Sequence, residues 1–230
     1  MLTYVIESIA SLEEQYGWKI TSASSMPPTV TMTYRGQVQL FFHPGAFLQP
    51  TAQAQDRPNA PISLIYTPAK PLSTTLRFFL QLLRASLQAL PQSTTRVPDL
   101  LHLVSSGWDV AFSASEAERR LSIEGVTETR IISDESLSIS SLILLPKVRT
   151  KVRVSFDITA AVGGSEEEKL QLSTTVKREV KVVYGEPYNE KKMSEFVAKE
   201  IGDGFDGWDG VVADLREKLV ARGSKSAKKK

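Results

Sequence analysis

Apolar residues recur at helical spacing through the middle of the chain. Between Pro71 and Leu90, Leu72, Leu76, Phe79, Leu83, Leu87 and Leu90 fall on one face. Phe78, Leu82, Ala85 and Ala89 form a second stripe more than a quarter-turn away. A surface helix normally carries a single apolar stripe. Two stripes predict two packing partners, so the segment reads as a wall shared between two halves of the protein. Phe78, Leu82 and Ala85, with Trp108 and Phe112 of the next helix, are the expected inter-unit packing residues.

The pattern on either side supplies the halves. Leu2, Val5, Ile9, Leu12 and Tyr16 are spaced three and four apart, which predicts a helix over 1–16 with heptad-like spacing. Gly17 stops it. Trp18–Thr21, Thr29–Tyr34, Gln37–Phe42 and Ile62–Tyr66 read as strands. Arg35-Gly36 makes a hairpin turn between the second and third. Pro44 to Pro61, rich in Pro, Gln, Ala and Asn, reads as a long loop. Pro91 ends the central helix, residues 91–98 form a linker, and Pro98 opens a helix that Gly125 closes. On that helix Glu116, Glu118, Arg119 and Arg120 are expected to face outward.

Strands follow at Thr127–Ser133, Leu137–Leu145, Thr150–Ile158 and Leu170–Tyr184. Leu137–Leu145 is nearly all apolar at its end, which predicts burial on both faces there. In Thr150–Ile158, by contrast, Val152, Val154, Phe156 and Ile158 alternate with polar residues, the pattern of a one-face strand. Gly163 to Lys169 is an acidic hairpin tip. Met193, Phe196, Val197 and Ile201 mark a further helix, and Trp208, Val211, Val212, Leu215 and Leu219 a last one. Each half thus runs helix, antiparallel strands, helix, without long crossovers. The expected fold is α+β: two units, each an antiparallel meander with flanking helices, packed as a rigid tandem. The divisions are 1–16, 17–90, a linker at 91–98, 99–202, a C-terminal helix over 203–221, and a basic tail over 222–230.

Composition narrows the function classes. The 230 residues are 41% hydrophobic and 23% charged, ordinary for a globular protein. No apolar run approaches the roughly 20 residues that span a bilayer, so no membrane partner is expected. The first residues are acidic where a signal peptide is basic. Cys is absent, which removes thiol catalysis, disulfides and thiolate metal sites. His43 and His102 lie in different halves with no acidic or His partner at ligand spacing. In Asp203–Gly210 the acids come every third residue, against every second in a calcium loop. Neither a cofactor nor a metal is expected, and no clustered acid, base and nucleophile suggests an enzyme.

One charge pattern stands out. Arg149, Lys151 and Arg153 share a strand face, and Lys177 and Lys181 alternate on the returning strand. If those strands pair, a basic surface results, suited to an acidic or phosphorylated protein segment. No aromatics interleave with it, so direct nucleic-acid contact is not expected there. The basic tail leaves one alternative, a nucleic-acid or chromatin-associated accessory domain.

Several stretches resemble one family closely: MTYRGQVQLFFHPGAF (32–47), PISLIYT (61–67), TTLRFFLQLLRASLQAL (74–90), ILLPKVRTKVRVSFDI (143–158) and VYGEPYNEKKMSEFVAKEIG (183–202). They are similar to the C-terminal region of the fungal kinetochore scaffold known as Spc-seven or Spc-one-oh-five, of the knl-one type, over roughly 17–202. The resemblance implies a tandem pair of RWD units preceded by a coiled coil, so the helix over 1–16 would have a coiled-coil partner. By its own spacing that helix has two readings, a helix lying on its own domain or the end of a longer coiled coil. The resemblance also implies a nuclear, kinetochore location and a non-enzymatic role. That role would be anchoring the scaffold to the four-subunit MIND-type complex of the outer kinetochore by capturing tail segments of its subunits. RWD units look like ubiquitin-conjugating enzymes, but this chain has no Cys for their thioester chemistry.

Overall fold

The computed structural model describes residues 17–48, 58–163, 170–185, 187–202 and 204–227. The expected N-terminal helix, the middle of the 44–61 loop, the acidic tip after Gly163, Asp203 and the last three lysines lie outside the described residues. Contacts divide the chain into two compact units. The first comprises the chain up to Leu72, Phe79–Trp108 and Val162–Gln171. The second comprises Ser73–Phe78, Asp109–Ala161 and Leu172–Lys230. Residues 91–98, expected as a linker, are grouped with the first unit.

The first unit holds a four-stranded antiparallel meander: β1 (Trp18–Ser25), β2 (Pro28–Tyr34), β3 (Val38–Phe42) and β4 (Ser63–Tyr66). The hairpin between β2 and β3 turns where expected. Arg35 and Gly36 both take positive φ, 48° and 65°, which closes a tight turn matched to the strand twist. β1 is longer than its apolar residues suggested, because the polar run Ser22–Ser25 still pairs with Thr31–Pro28. In β3, Val38, Leu40 and Phe42 are buried while Gln39 and Phe41 are half-buried.

Two helices follow, α1 (Thr74–Ala89) and α2 (Val97–Glu124), and both contribute residues to both units. Ser73 caps α1 by accepting the N–H of Leu76 at 3.2 Å. The first apolar stripe is the core stripe: Phe79, Leu83, Leu87 and Leu90 are buried, with Leu72 and Leu76 half-buried. The second stripe fades along the helix. Phe78 is buried, Leu82 half-buried, and Ala85 and Ala89 exposed. A methyl side chain buries too little area to demand a partner. Within the first unit, Trp108 of α2 donates its indole N–H to Gln37 Oε1 at 2.8 Å and lies against the Tyr66 ring.

The loop and linker of this unit hold each other. Gln92, buried although polar, accepts the Ala60 N–H at 2.9 Å and donates to the Ala60 carbonyl at 2.8 Å. Asn59 spans the same gap, donating to the Leu90 carbonyl and accepting the Gln92 N–H. Gln92 thereby imitates a strand neighbour for Ala60. Replacing it with alanine should leave two backbone groups unmatched and lower stability by about 1–3 kcal/mol, read from the urea midpoint. Gln92→Glu, which keeps the size and only the acceptor half, should fall between.

The second unit holds the other meander: β5 (Val126–Ser133), β6 (Ser136–Leu145), β7 (Thr150–Gly163) and β8 (Gln171–Tyr184), in that spatial order. Two helices follow, α3 (Glu190–Glu200) and α4 (Trp208–Ala227), so the last helix runs beyond the expected end at 221. Two expectations are corrected here. The end of β6 is not buried on both faces: Ile143 and Leu145 are buried, Leu142 is half-buried and Leu144 is exposed. The sheet is antiparallel with one covered face, so an apolar run cannot hide every residue. Glu118 does not point freely into water. It accepts from Thr75 Oγ1 at 2.7 Å and from Thr129 Oγ1 at 2.5 Å, joining the start of α1, α2 and β5. Glu116 matches the outward expectation and pairs with Arg119 and Arg120. The hydrogen bond from Arg119, more than any other influence, lowers its pKa to about 2.

Candidate docking surface

The outer face of the second sheet is built by strand alternation. Along β7, Thr150, Val152, Val154, Phe156 and Ile158 are buried, which turns Lys151 and Arg153 outward. Register with β6 sets Lys151 beside Leu144 and Arg153 beside Leu142. Arg149 precedes the strand in a left-handed conformation, φ 48°, at the end of the 3-10 turn Pro146–Val148. Lys177 and Lys181 are exposed on β8, the neighbour of β7.

These five cations are not equivalent. Lys181 donates to Glu179 at 2.8 Å. That hydrogen bond, with the charges of Glu179 and more weakly Glu190 and Asp157, raises the Lys181 pKa above its ordinary value. Lys181 therefore keeps its charge but shares it with a neighbouring carboxylate. Asp157 shares the outer face and accepts from Ser138 at 2.6 Å. Among the described residues no carboxylate lies within salt-bridge distance of Arg149, Lys151, Arg153 or Lys177. The free positive charge concentrates at the start of β7.

The expected inter-unit residues fall into different environments. Phe78 and Trp108 are buried and Leu82 is half-buried, while Ala85 is exposed and Phe112 is 45% exposed. Phe112 follows buried Ala111 by about 100° around α2, which carries its ring off the core face. His43 precedes a 3-10 turn with its ring edge-on to Phe41, and His102 lies half-buried on α2. Among the described residues no group of three or more His, Asp and Glu is placed to hold a metal. No described helix is long and apolar enough to cross a membrane. Of the segment Asp203–Gly210, Asp203 lies outside the described residues, and 204–210 delivers Trp208 to the core, stacked on Phe156 with ring centroids 4.1 Å apart.

Periodicity missed a set of exposed apolar residues around the end of α2: Ile123, Val126 and Leu144, with Val220 of α4 nearby. The signal available was Ile123 and Val126 flanking Gly125, apolar residues at a helix stop where water-facing polar ones are usual.

Residues 6–114 match the family model described as the Knl1 RWD C-terminal domain. No curated protein matches the chain. The matched stretch takes in the first meander, α1 and more than half of α2, while the basic outer face lies beyond it. The two meanders with flanking helices fit an RWD-like α+β fold. RWD regions of this family are protein-interaction modules. Residues 6–114, just under half of the chain, are therefore similar to the RWD C-terminal domain of the kinetochore scaffold Knl1.

Proposed function

We propose that this chain is a non-enzymatic docking module that anchors a kinetochore scaffold, in the nucleus, to the MIND-type complex of the outer kinetochore. It does so by capturing tail segments of that complex's subunits. The family match supports the scaffold role. The observation that carries the docking role is Lys151 and Arg153 on one strand face, with Arg149 in the turn just before it, all without carboxylate partners among the described residues. Rigid strand positions hold charges in register for an acidic tail, and complementary charge sets both encounter rate and specificity. We further propose that the two RWD units act as one body, since α1 and α2 each give residues to both.

Calorimetric titration of the subunit tails onto the intact chain tests the reading. Binding should be measurable with the native chain and weakened about tenfold by Lys151→Glu with Arg153→Glu. Affinity unchanged in that double variant removes the basic face from the docking site. Absence of binding to any subunit tail removes the anchoring function.

A further inference from the structure

The strands of the second sheet do not end together. β5 begins at Val126, opposite Leu142, whereas β6 runs on to Leu145. Ile143, Leu144 and Leu145 pair with Val152, Lys151 and Thr150 of β7 on one side and with no strand on the other. Strand residues direct their N–H and C=O groups to alternate neighbours. This stretch therefore offers backbone donors and acceptors to the space where β5 has stopped. Among the described residues no hydrogen bond reaches them from there.

Two of the sheet edges are capped by side chains. At β8, the Val180 N–H donates to Ser194 Oγ at 3.0 Å and the Val182 N–H to Glu190 Oε1 at 2.8 Å, both from α3. At β4, Arg84 donates to the Leu64 carbonyl at 2.7 Å. Proteins ordinarily blunt exposed edges in such ways, because an open one recruits another strand. Among the described residues, no side chain caps the notch at the end of β6 in this way.

A groove of about 280 Å³ runs along this notch, walled by the end of α2 and by Arg216 of α4. A second hollow of about 370 Å³ shares Glu124 and Arg216 with it and continues past Val220. Ile123 is 70% exposed, Val126 64%, Leu144 45% and Val220 39%. Single exposed apolar residues are commonplace, but several around one groove mark an interaction site. Charge selects the visitor. The outer rim carries Lys151 beside Leu144 and Arg153 beside Leu142, both lacking carboxylate partners among the described residues. Glu124 and Glu217 lie deeper, along the helix wall.

We propose that this notch seats an extended partner segment that adds to β6 in line with β5. Its apolar side chains enter the groove and its alternate, outward side chains are carboxylates facing Lys151 and Arg153. The inference rests on the docking reading above and gives it a place and a chemistry. Main-chain pairing supplies affinity in strand addition, and alternate side chains supply specificity.

Fluorescence anisotropy on the intact chain provides the test, with a short dye-labelled peptide of alternating valine and glutamate and its valine–lysine counterpart. The acidic peptide should bind saturably and about tenfold or more tighter than the basic one. Leu144→Glu, at a solvent-exposed position, should weaken it about tenfold or more while leaving the melting curve in place. Ile123→Glu, outside the sheet, is the second variant and should act in the same direction. Failure to saturate, equal binding of the two peptides, or affinity unaffected by both variants overturns the proposal. So does sedimentation showing a dimer that Leu144→Glu dissolves without any peptide binding, since the notch would then seat a second copy. Subunit tails that still bind the Leu144→Glu chain would leave the docking function standing and remove only the notch.

Discussion

Replacement of Trp208 by alanine is expected to destabilise the protein by about 3–5 kcal/mol, the range for deleting a large buried aromatic. The indole is fully buried at the start of α4. Its ring stacks on Phe156, 6° from parallel with centroids 4.1 Å apart, and Phe205 closes on it at 5.6 Å. Its N–H donates to the Gly204 carbonyl at 3.2 Å, which also fixes the loop that leads into the helix. Alanine would open a cavity against β7, and relaxation of the surrounding sheet can fill only part of it. At about 2–4 °C per kcal/mol for a chain of this size, the melting temperature should fall by about 10 °C, read by circular dichroism. Trp208→Phe should recover most of the loss, since it keeps the stacked face and gives up only the hydrogen bond. If Trp208→Ala instead melts within about 3 °C of the native chain, α4 is not anchored through this ring.

Gly185→Val should lose about 3 kcal/mol or more, for two separable reasons. Gly185 follows β8 with φ +107°, a backbone conformation that branched side chains avoid. It also abuts the beginning of β7: a Cβ there would stand 2.5 Å from the Arg149 carbonyl oxygen and 2.6 Å from Thr150 Cα. Neither atom is the mobile end of a side chain, so the backbone itself must move. Gly36 separates the two effects, because its φ is +65° and a Cβ there meets nothing within 4 Å. Gly36→Ala should lose only about 1–2 kcal/mol, the conformational part alone. Gly185→Ala should lose clearly more, in paired chemical denaturations. Equal losses would mean that the close approach does not matter. Because Arg149 and Lys151 lie on the displaced backbone, Gly185→Val should also weaken capture of an acidic segment in the calorimetric titration.

Much of the architecture follows from the order of residues alone. The strict alternation in Thr150–Ile158 is β7, and its period of two fixes which residues are core and which are free. Arg35-Gly36 is a turn because Gly tolerates positive φ and the flanking strands twist to match it. Pro98 and Gly125 bracket α2 through local backbone chemistry. Those signals act over a few residues, and so they survive without knowledge of the partner elements. The basic set was legible for the same reason: alternation places Lys151 and Arg153 outward whatever covers the other face.

Tertiary structure decided the features that depend on residues far apart in sequence. Leu144 lies in an apolar run, yet only the early start of β5 leaves it at an open edge. Gln92 looks like a linker residue until Ala60 arrives beside it, more than thirty positions earlier. Glu118 shares a charged surface pattern with Glu116, but Thr75 and Thr129 convert it into a hydrogen-bonded joint. Lys181 is one of five cations by spacing and a paired one once Glu179 is seen to reach it. Periodicity states which face a residue occupies, because that depends on its own strand or helix. It does not state what meets that face, because burial, pairing and an exposed notch depend on where neighbouring elements begin and end.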